Sequence, residues 1–165
     1  MKKYDVVIGI DPDVDKSGVA YVEPESRILE AMSLTFADLL DYLQELRDIL
    51  TERGQTFVVV VEAGWLNKAH WHVGKGGSAA RSAAIGNHTG RNHEVGRKIV
   101  EMCRHYGIEV VEQPPLRKMW KGKDGKITHE ELQIFTGITD KTNQETRDAA
   151  LIAWEYAGLP IRIKN

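Results

Sequence analysis

The stretch YDVVIGIDPD, residues 4–13, decides how this chain is read: a β-branched apolar run that stops at an acid. Its Val and Ile residues barely alternate with polar ones, which predicts a strand buried on both faces. Asp11 stands where that strand leaves the core, and Pro12 turns the chain. An ionised carboxylate placed there loses much of its solvation unless something compensates it. The pattern recurs at 57–62, where FVVVV runs into Glu62. Near the C-terminus Glu145 and Asp148 stand three apart in a helix-like segment, so both project from one face. Three segments that each deliver acids from apolar surroundings point to one shared compensator, most simply a divalent cation.

Outward from that strand, GVAYVE (18–23) and RILEAMSL (27–34) read as two more strands with a short connection. Thr35 and Asp38 then open a helix whose leucines, from Leu39 to Leu50, recur at helical spacing until Gly54. After FVVVV comes a loop, 63–78. A helical region follows from about Ser78 to Tyr106, and Gly86, Gly90 and Gly96 predict that it is kinked or split. IEVVE (108–112) is the fifth strand, ended by Pro114 and Pro115, and LRKMWKGKDGK (116–126) is a basic connection. Thr128 with Glu131 opens a short helix. Thr142 with Glu145 opens the last one, which Gly158 and Pro160 end.

Short connections predict an antiparallel succession for the first three strands. Strands four and five each follow a helix, so they can lie parallel to strand one on its far side. That order sets Asp11 beside Glu62. The expected architecture is one α/β domain over 1–165, with a five-stranded mixed sheet and helices on both faces.

The composition, 42% hydrophobic and 28% charged over 165 residues, is that of an ordinary globular chain. No apolar run approaches the ~20 residues that span a bilayer. Lys2 and Lys3 are followed by Asp5 rather than by a secretory apolar core, so a cytoplasmic protein is expected. The single cysteine, Cys103, excludes an internal disulfide and is expected as a small buried helical residue. The net charge of −2 hides an asymmetry. Residues 1–62 hold 6 Lys/Arg against 13 Asp/Glu, whereas residues 63–126 hold 12 against 5. A basic centre between acidic flanks suits a polyanion partner beside a metal site.

With those residues in hand, the chain resembles the RuvC-type Holliday junction resolvases of the ribonuclease H-like superfamily. The resemblance rests on GIDPD (9–13) with Gly18-Val19-Ala20, on VVVVEAGW (58–65), and on the pattern E-x-x-D-A-A-L-I-A (145–153). It implies a homodimer that binds four-way DNA junctions and makes paired nicks with Mg²⁺ or Mn²⁺, two ions per active site. It implies Asp11, Glu62, Glu145 and Asp148 as metal ligands and catalytic residues. Asp13 stands where the family usually has Gly, and Glu145 where Asp or His is more usual.

Two ions about 3.5–4 Å apart activate a water, neutralise charge on phosphorus and stabilise the leaving oxygen. Asp11, ending the central strand, would bridge them. Three of the acids also have a plainer reading. Asp11 would open an Asx turn, Glu62 would be a strand-end surface residue, and Glu145 would fold back in a capping box with Thr142. Asp13 and Asp15 read as solvated turn residues, with reach to an ion as the alternative.

The resemblance also implies that Trp65, three residues past Glu62, wedges into the junction, with packing in its own loop as the alternative. Lys68, Lys75, Arg81, Arg91, Arg97 and Lys98 are candidate phosphate contacts, as are Arg117, Lys118, Lys121, Lys123 and Lys126. Of these Lys118 and Lys126 suit a lysine near the scissile phosphate. HWH (70–72) lacks a third ligand for zinc, and GKGGS (74–78) lacks the spacing of a nucleotide-binding phosphate loop. A junction-binding protein without catalysis, and a nuclease for another branched or hybrid nucleic acid, are the alternative functions.

Overall fold

The structure is a computed structural model that describes residues 2–67 and 78–161. Its strands are β1 (Val6–Asp11), β2 (Ser17–Glu23), β3 (Ile28–Leu34), β4 (Phe57–Glu62) and β5 (Val110–Gln113). They form one sheet in the order β3-β2-β1-β4-β5. β1, β2 and β3 pair antiparallel, while β4 runs parallel to β1 and β5 parallel to β4. The helices are α1 (Phe36–Glu52), α2 (Ala79–His105), α3 (His129–Thr136) and α4 (Gln144–Tyr156). This is the mixed five-stranded sheet expected from the connection lengths.

The two-residue period of the strands sorts the core into two layers. Val7, Val58 and Val60 face one side, where α3 and α4 cover them with Leu132, Ala149, Ile152 and Trp154. Ile8, Ile10, Val59 and Val61 face the other, against Leu39, Leu43 and Leu50 of α1 and Ile99 and Cys103 of α2. The helices therefore lie on both faces. Burial pushes the Cys103 thiol up to about 12, so it behaves as an inert packing group.

By the same alternation Asp11 and Glu62 point to the side that α4 covers. α4 can come this close because two strand positions lack a side chain. A Cβ at Gly9 would run into the backbone oxygen of Ala149, and one at Gly18 into the backbone of Glu145. Those obstacles are backbone atoms, so they do not yield by a rotamer change. Gly9→Ala is expected to cost at least the ~1–3 kcal/mol typical of overpacking. A urea-denaturation midpoint equal to that of wild type would contradict this seating of α4.

Three local expectations are corrected. α2 is one continuous 27-residue helix rather than a kinked or split one. A Cβ at Gly86 or Gly90 would meet nothing, so these glycines face open space, while Gly96 makes room for the Trp65 ring. The capping box of α4 is formed by Asn143 and Thr146, not by Thr142 and Glu145. Thr142 is engaged elsewhere: its hydroxyl lies 2.9 Å from His129 Nδ1 and 3.2 Å from Arg147 Nη1. Asp13 is no loose turn acid. Its carboxylate accepts from Asp15 N at 2.8 Å and from Asn92 Nδ2 at 3.3 Å, and Asn92 Oδ1 accepts from Val14 N at 2.9 Å. These bonds tie the turn after Asp11 to α2.

Among the described residues no helix is long and apolar enough to cross a membrane.

A candidate metal and nucleic-acid site

Ile10 of β1 pairs with Val61 of β4, so one step further Asp11 stands next to Glu62 on parallel strands. Residues in register on adjacent strands share a face and sit about 5 Å apart. Gly9 fixes α4 through Ala149, and the residue before Ala149 is Asp148. Asp11, Glu62 and Asp148 thus line one cleft of about 350 Å³. Its floor is apolar, from Trp120, Leu151 and Ile152, and its basic rim is Arg117, Lys118 and Lys126. From α2, Thr89 and His93 close the opposite side.

Burial pushes the Asp11 carboxyl well above the usual carboxylate range, and repulsion from Glu62 and Asp148 adds to it while Lys126 opposes. Burial and then Asp148 raise Glu62, with Lys126 and Lys118 opposing. For Lys126 burial works against the charged form, yet Asp148, Asp11 and Glu62 together raise its pKa. Its Nζ lies 3.4 Å from Asp148 Oδ2, and the Asp148 side chain is only 17% exposed. Among the described residues the Asp11 and Glu62 carboxyl groups accept no hydrogen bond.

That combination leaves unneutralised negative charge that a divalent cation would offset. Two desolvated, mutually repelling carboxylates lack donors, and an ammonium partly offsets them. The donor set is all oxygen and suits Mg²⁺ or Mn²⁺ rather than zinc. Among the described residues no three His, Cys, Asp or Glu side chains are arranged as a finished cage. Mg²⁺ retains several waters and needs only one or two direct carboxylates, so the absence of a cage does not conflict with it.

The other expected residues fall in different places. Glu145 does not line the cleft; it sits in the first turn of α4 and is the weakest of the charges that act on Asp11. With the capping box reassigned, its side chain is free of that role.

Trp65 lies in a short 3₁₀ turn, Gly64–Leu66. Its ring packs on Gly96 and Pro12, its indole N–H donates to Glu112 Oε1 at 3.1 Å, and Arg97 stands 5.6 Å over it. Its neighbour Leu66 is 46% exposed. These contacts describe a packed tryptophan that braces α2 against the end of β4.

Arg117, Lys118 and Lys126 reach the cleft, whereas Arg81 and Lys121 are exposed outside it. Arg97 and Lys98 pair with Glu94 and Glu101 on their own helix. Lys68, Lys75 and HWH (70–72), like all but the last residue of GKGGS (74–78), lie outside the described residues. Sequence reading passed over Gln144 and Arg147, which contact Asp148 and its surroundings. The only advance signal was the i, i+4 spacing of Gln144 and Asp148.

A five-stranded mixed sheet in this order, with helices on both faces, is the ribonuclease H-like fold. Its fold is similar to that of a solved RuvC structure. Thermus thermophilus RuvC solved in complex with a Holliday junction substrate is 16% identical, at a TM-score of 0.53, over 93% of each chain. A second T. thermophilus RuvC structure is 18% identical at a TM-score of 0.43, and the fowlpox virus resolvase with its substrate Holliday junction DNA is 12% identical at 0.45. Each of these two covers 93% of this chain and 97% of its own. No family model and no curated protein sequence matches the chain.

Proposed function

We propose that this protein is a divalent-metal-dependent endonuclease that cuts branched DNA, four-way junctions above all, as a symmetric dimer. The observation that supports this best is the pair of neighbouring carboxylates, Asp11 and Glu62, set in one cleft with Asp148 and given no hydrogen-bond donor among the described residues. In this reading Asp11, Glu62 and Asp148 would hold the metal, directly or through its bound waters, with Glu145 at the outer edge. When bound, Mg²⁺ or Mn²⁺ would supply an activated water and neutralise charge on the phosphate.

The chain's own residues do the rest. Arg117 and Lys118 on the rim hold phosphate oxygens of the strand, and the apolar floor of Trp120, Leu151 and Ile152 limits competing water. Two related cuts need two related sites, hence the two-fold dimer. The first turns of α2 are exposed, Ile85 at 53% among them, and offer a surface for contacts outside the protomer.

A junction-binding protein without catalysis is the second reading. The Lys126–Asp148 pair favours it, because an internal ammonium already offsets part of the acidic cluster. A strand-labelled synthetic four-way junction separates the two readings. The nuclease is expected to nick it with Mg²⁺ or Mn²⁺ and not with a chelator. Tight junction binding with no nicking under either metal would reject the nuclease and support the binding protein.

The basic rim carries its own expectation. Junction affinity should fall steeply with salt, and Lys118→Ala should reduce the log–log slope by about one unit. A slope unchanged by that substitution would remove Lys118 from the phosphate contacts.

A further inference from the structure

The two oxygens of Asp148 have different neighbours. Oδ1 accepts a 2.7 Å hydrogen bond from Gln144 Nε2, one turn earlier on α4. Oδ2 faces Lys126 Nζ at 3.4 Å. The amide oxygen of Gln144 in turn accepts from Arg147 Nη2 at 3.0 Å. Arg147 is itself anchored, with Nε donating to the Ile127 carbonyl at 3.1 Å and Nη1 to the Thr142 carbonyl at 3.2 Å.

The chemistry of the partners forces the order of this chain. A guanidinium only donates and an ionised carboxylate only accepts, so Gln144 must turn its oxygen to Arg147 and its nitrogen to Asp148. Reversing the amide would set donor against donor and acceptor against acceptor. Arg147 also holds the carbonyl of the residue after Lys126, so one side chain fixes both the amide and the loop that carries the ammonium.

We propose that Gln144, held by Arg147, is a positioning residue for Asp148 that occupies Oδ1 and leaves Oδ2 as the oxygen presented to a divalent ion. This rests on the metal-dependent reading above. Lys126 and the cation then compete for one oxygen, whereas Gln144 competes for neither. A plain i, i+4 helix-surface pair would stabilise the helix slightly and have no bearing on metal affinity.

The test is Mn²⁺ titration of the full chain without DNA, read by electron paramagnetic resonance of the free ion. Gln144→Leu is expected to weaken binding about 10–100-fold, as the loss of a ligand's outer hydrogen-bond partner does. Arg147→Lys, which keeps the charge but loses the fork, should weaken it in the same direction and carries the test if Gln144→Leu does not fold. Lys126→Gln should tighten binding.

Because Gln144 acts through Asp148, Gln144→Leu should add nothing in an Asp148→Asn background. Wild-type affinity in both Gln144→Leu and Arg147→Lys would overturn the proposal, as would an equal loss in the Asp148→Asn background. A wild-type chain that binds no Mn²⁺ would overturn the metal-dependent reading itself, a different and separately visible result.

Discussion

Asp11→Asn should abolish cutting of a four-way junction and, in metal-free buffer, make the protein more stable than wild type. The two effects share one cause. Asp11 is desolvated and repelled by Glu62 and Asp148, so its negative charge is a cost to the folded chain until a cation neutralises it. Asparagine keeps the shape and removes that charge. Each tenfold rise in the proton affinity of the folded-state carboxyl corresponds to about 1.4 kcal/mol that asparagine no longer loses at neutral pH. For a chain of this size each kcal/mol corresponds to roughly 2–4 °C in the thermal midpoint.

Loss of a carboxylate that would hold the metal should remove several kcal/mol of transition-state stabilisation, about 10³-fold or more in rate. Junction cleavage assays and thermal unfolding check both arms. A variant that cuts like wild type would contradict the assigned chemistry, and one that is less stable in metal-free buffer would contradict the electrostatics.

Raising the pH should destabilise the metal-free protein through these same groups, and saturating Mg²⁺ should cancel the effect. Asp11 and Glu62 have folded-state pKa values above those of the unfolded chain. Their contribution to stability is therefore fully present below the ordinary carboxylate pKa of about 4 and is lost as pH rises through the raised folded values. Glu131, held low by hydrogen bonds from Thr128 and Lys121 that outweigh its burial, works in the opposite sense at lower pH. Comparison with Asp11→Asn isolates the cluster. The variant's advantage in thermal midpoint should be small near pH 4, grow toward neutrality, and shrink or reverse with Mg²⁺. A pH-independent gap between the two proteins would show that the Asp11 carboxyl titrates alike in the folded and unfolded chains.

What the chain revealed before folding was the part governed by local physics. In a run such as YDVVIGI the short length and β-branched content select a buried strand, and connection length decided antiparallel against parallel pairing. Asp11 and Glu62 followed from that order, because strand parity and register leave no freedom once β1 lies beside β4. The glycines of α2 misled, since a helix breaker in sequence is harmless where its face is open, as at Gly86 and Gly90.

The α4 cap misled for another reason. Thr142 and Asn143 are both competent caps, and the choice was made by tertiary partners, His129 and Arg147, that hold the Thr142 hydroxyl. For Trp65 the wedge and the packed loop both stayed open, because nothing local announced Glu112, Gly96 or Pro12 as its neighbours. The Gln144–Arg147 pair escaped notice because its role depends on the Ile127 carbonyl, which a distant connection brings to α4.

The most direct measurement of the central claim is cutting of one strand-labelled four-way junction by wild type and by Glu62→Gln, each with Mg²⁺ and with a chelator. Glu62 suits this test because its side chain has no hydrogen-bonded partner among the described residues whose loss would disturb the fold. The account predicts paired nicks near the branch point only for wild type with Mg²⁺, with junction binding retained by Glu62→Gln. Equal cutting by Glu62→Gln, or cutting by wild type in the chelator, would contradict it.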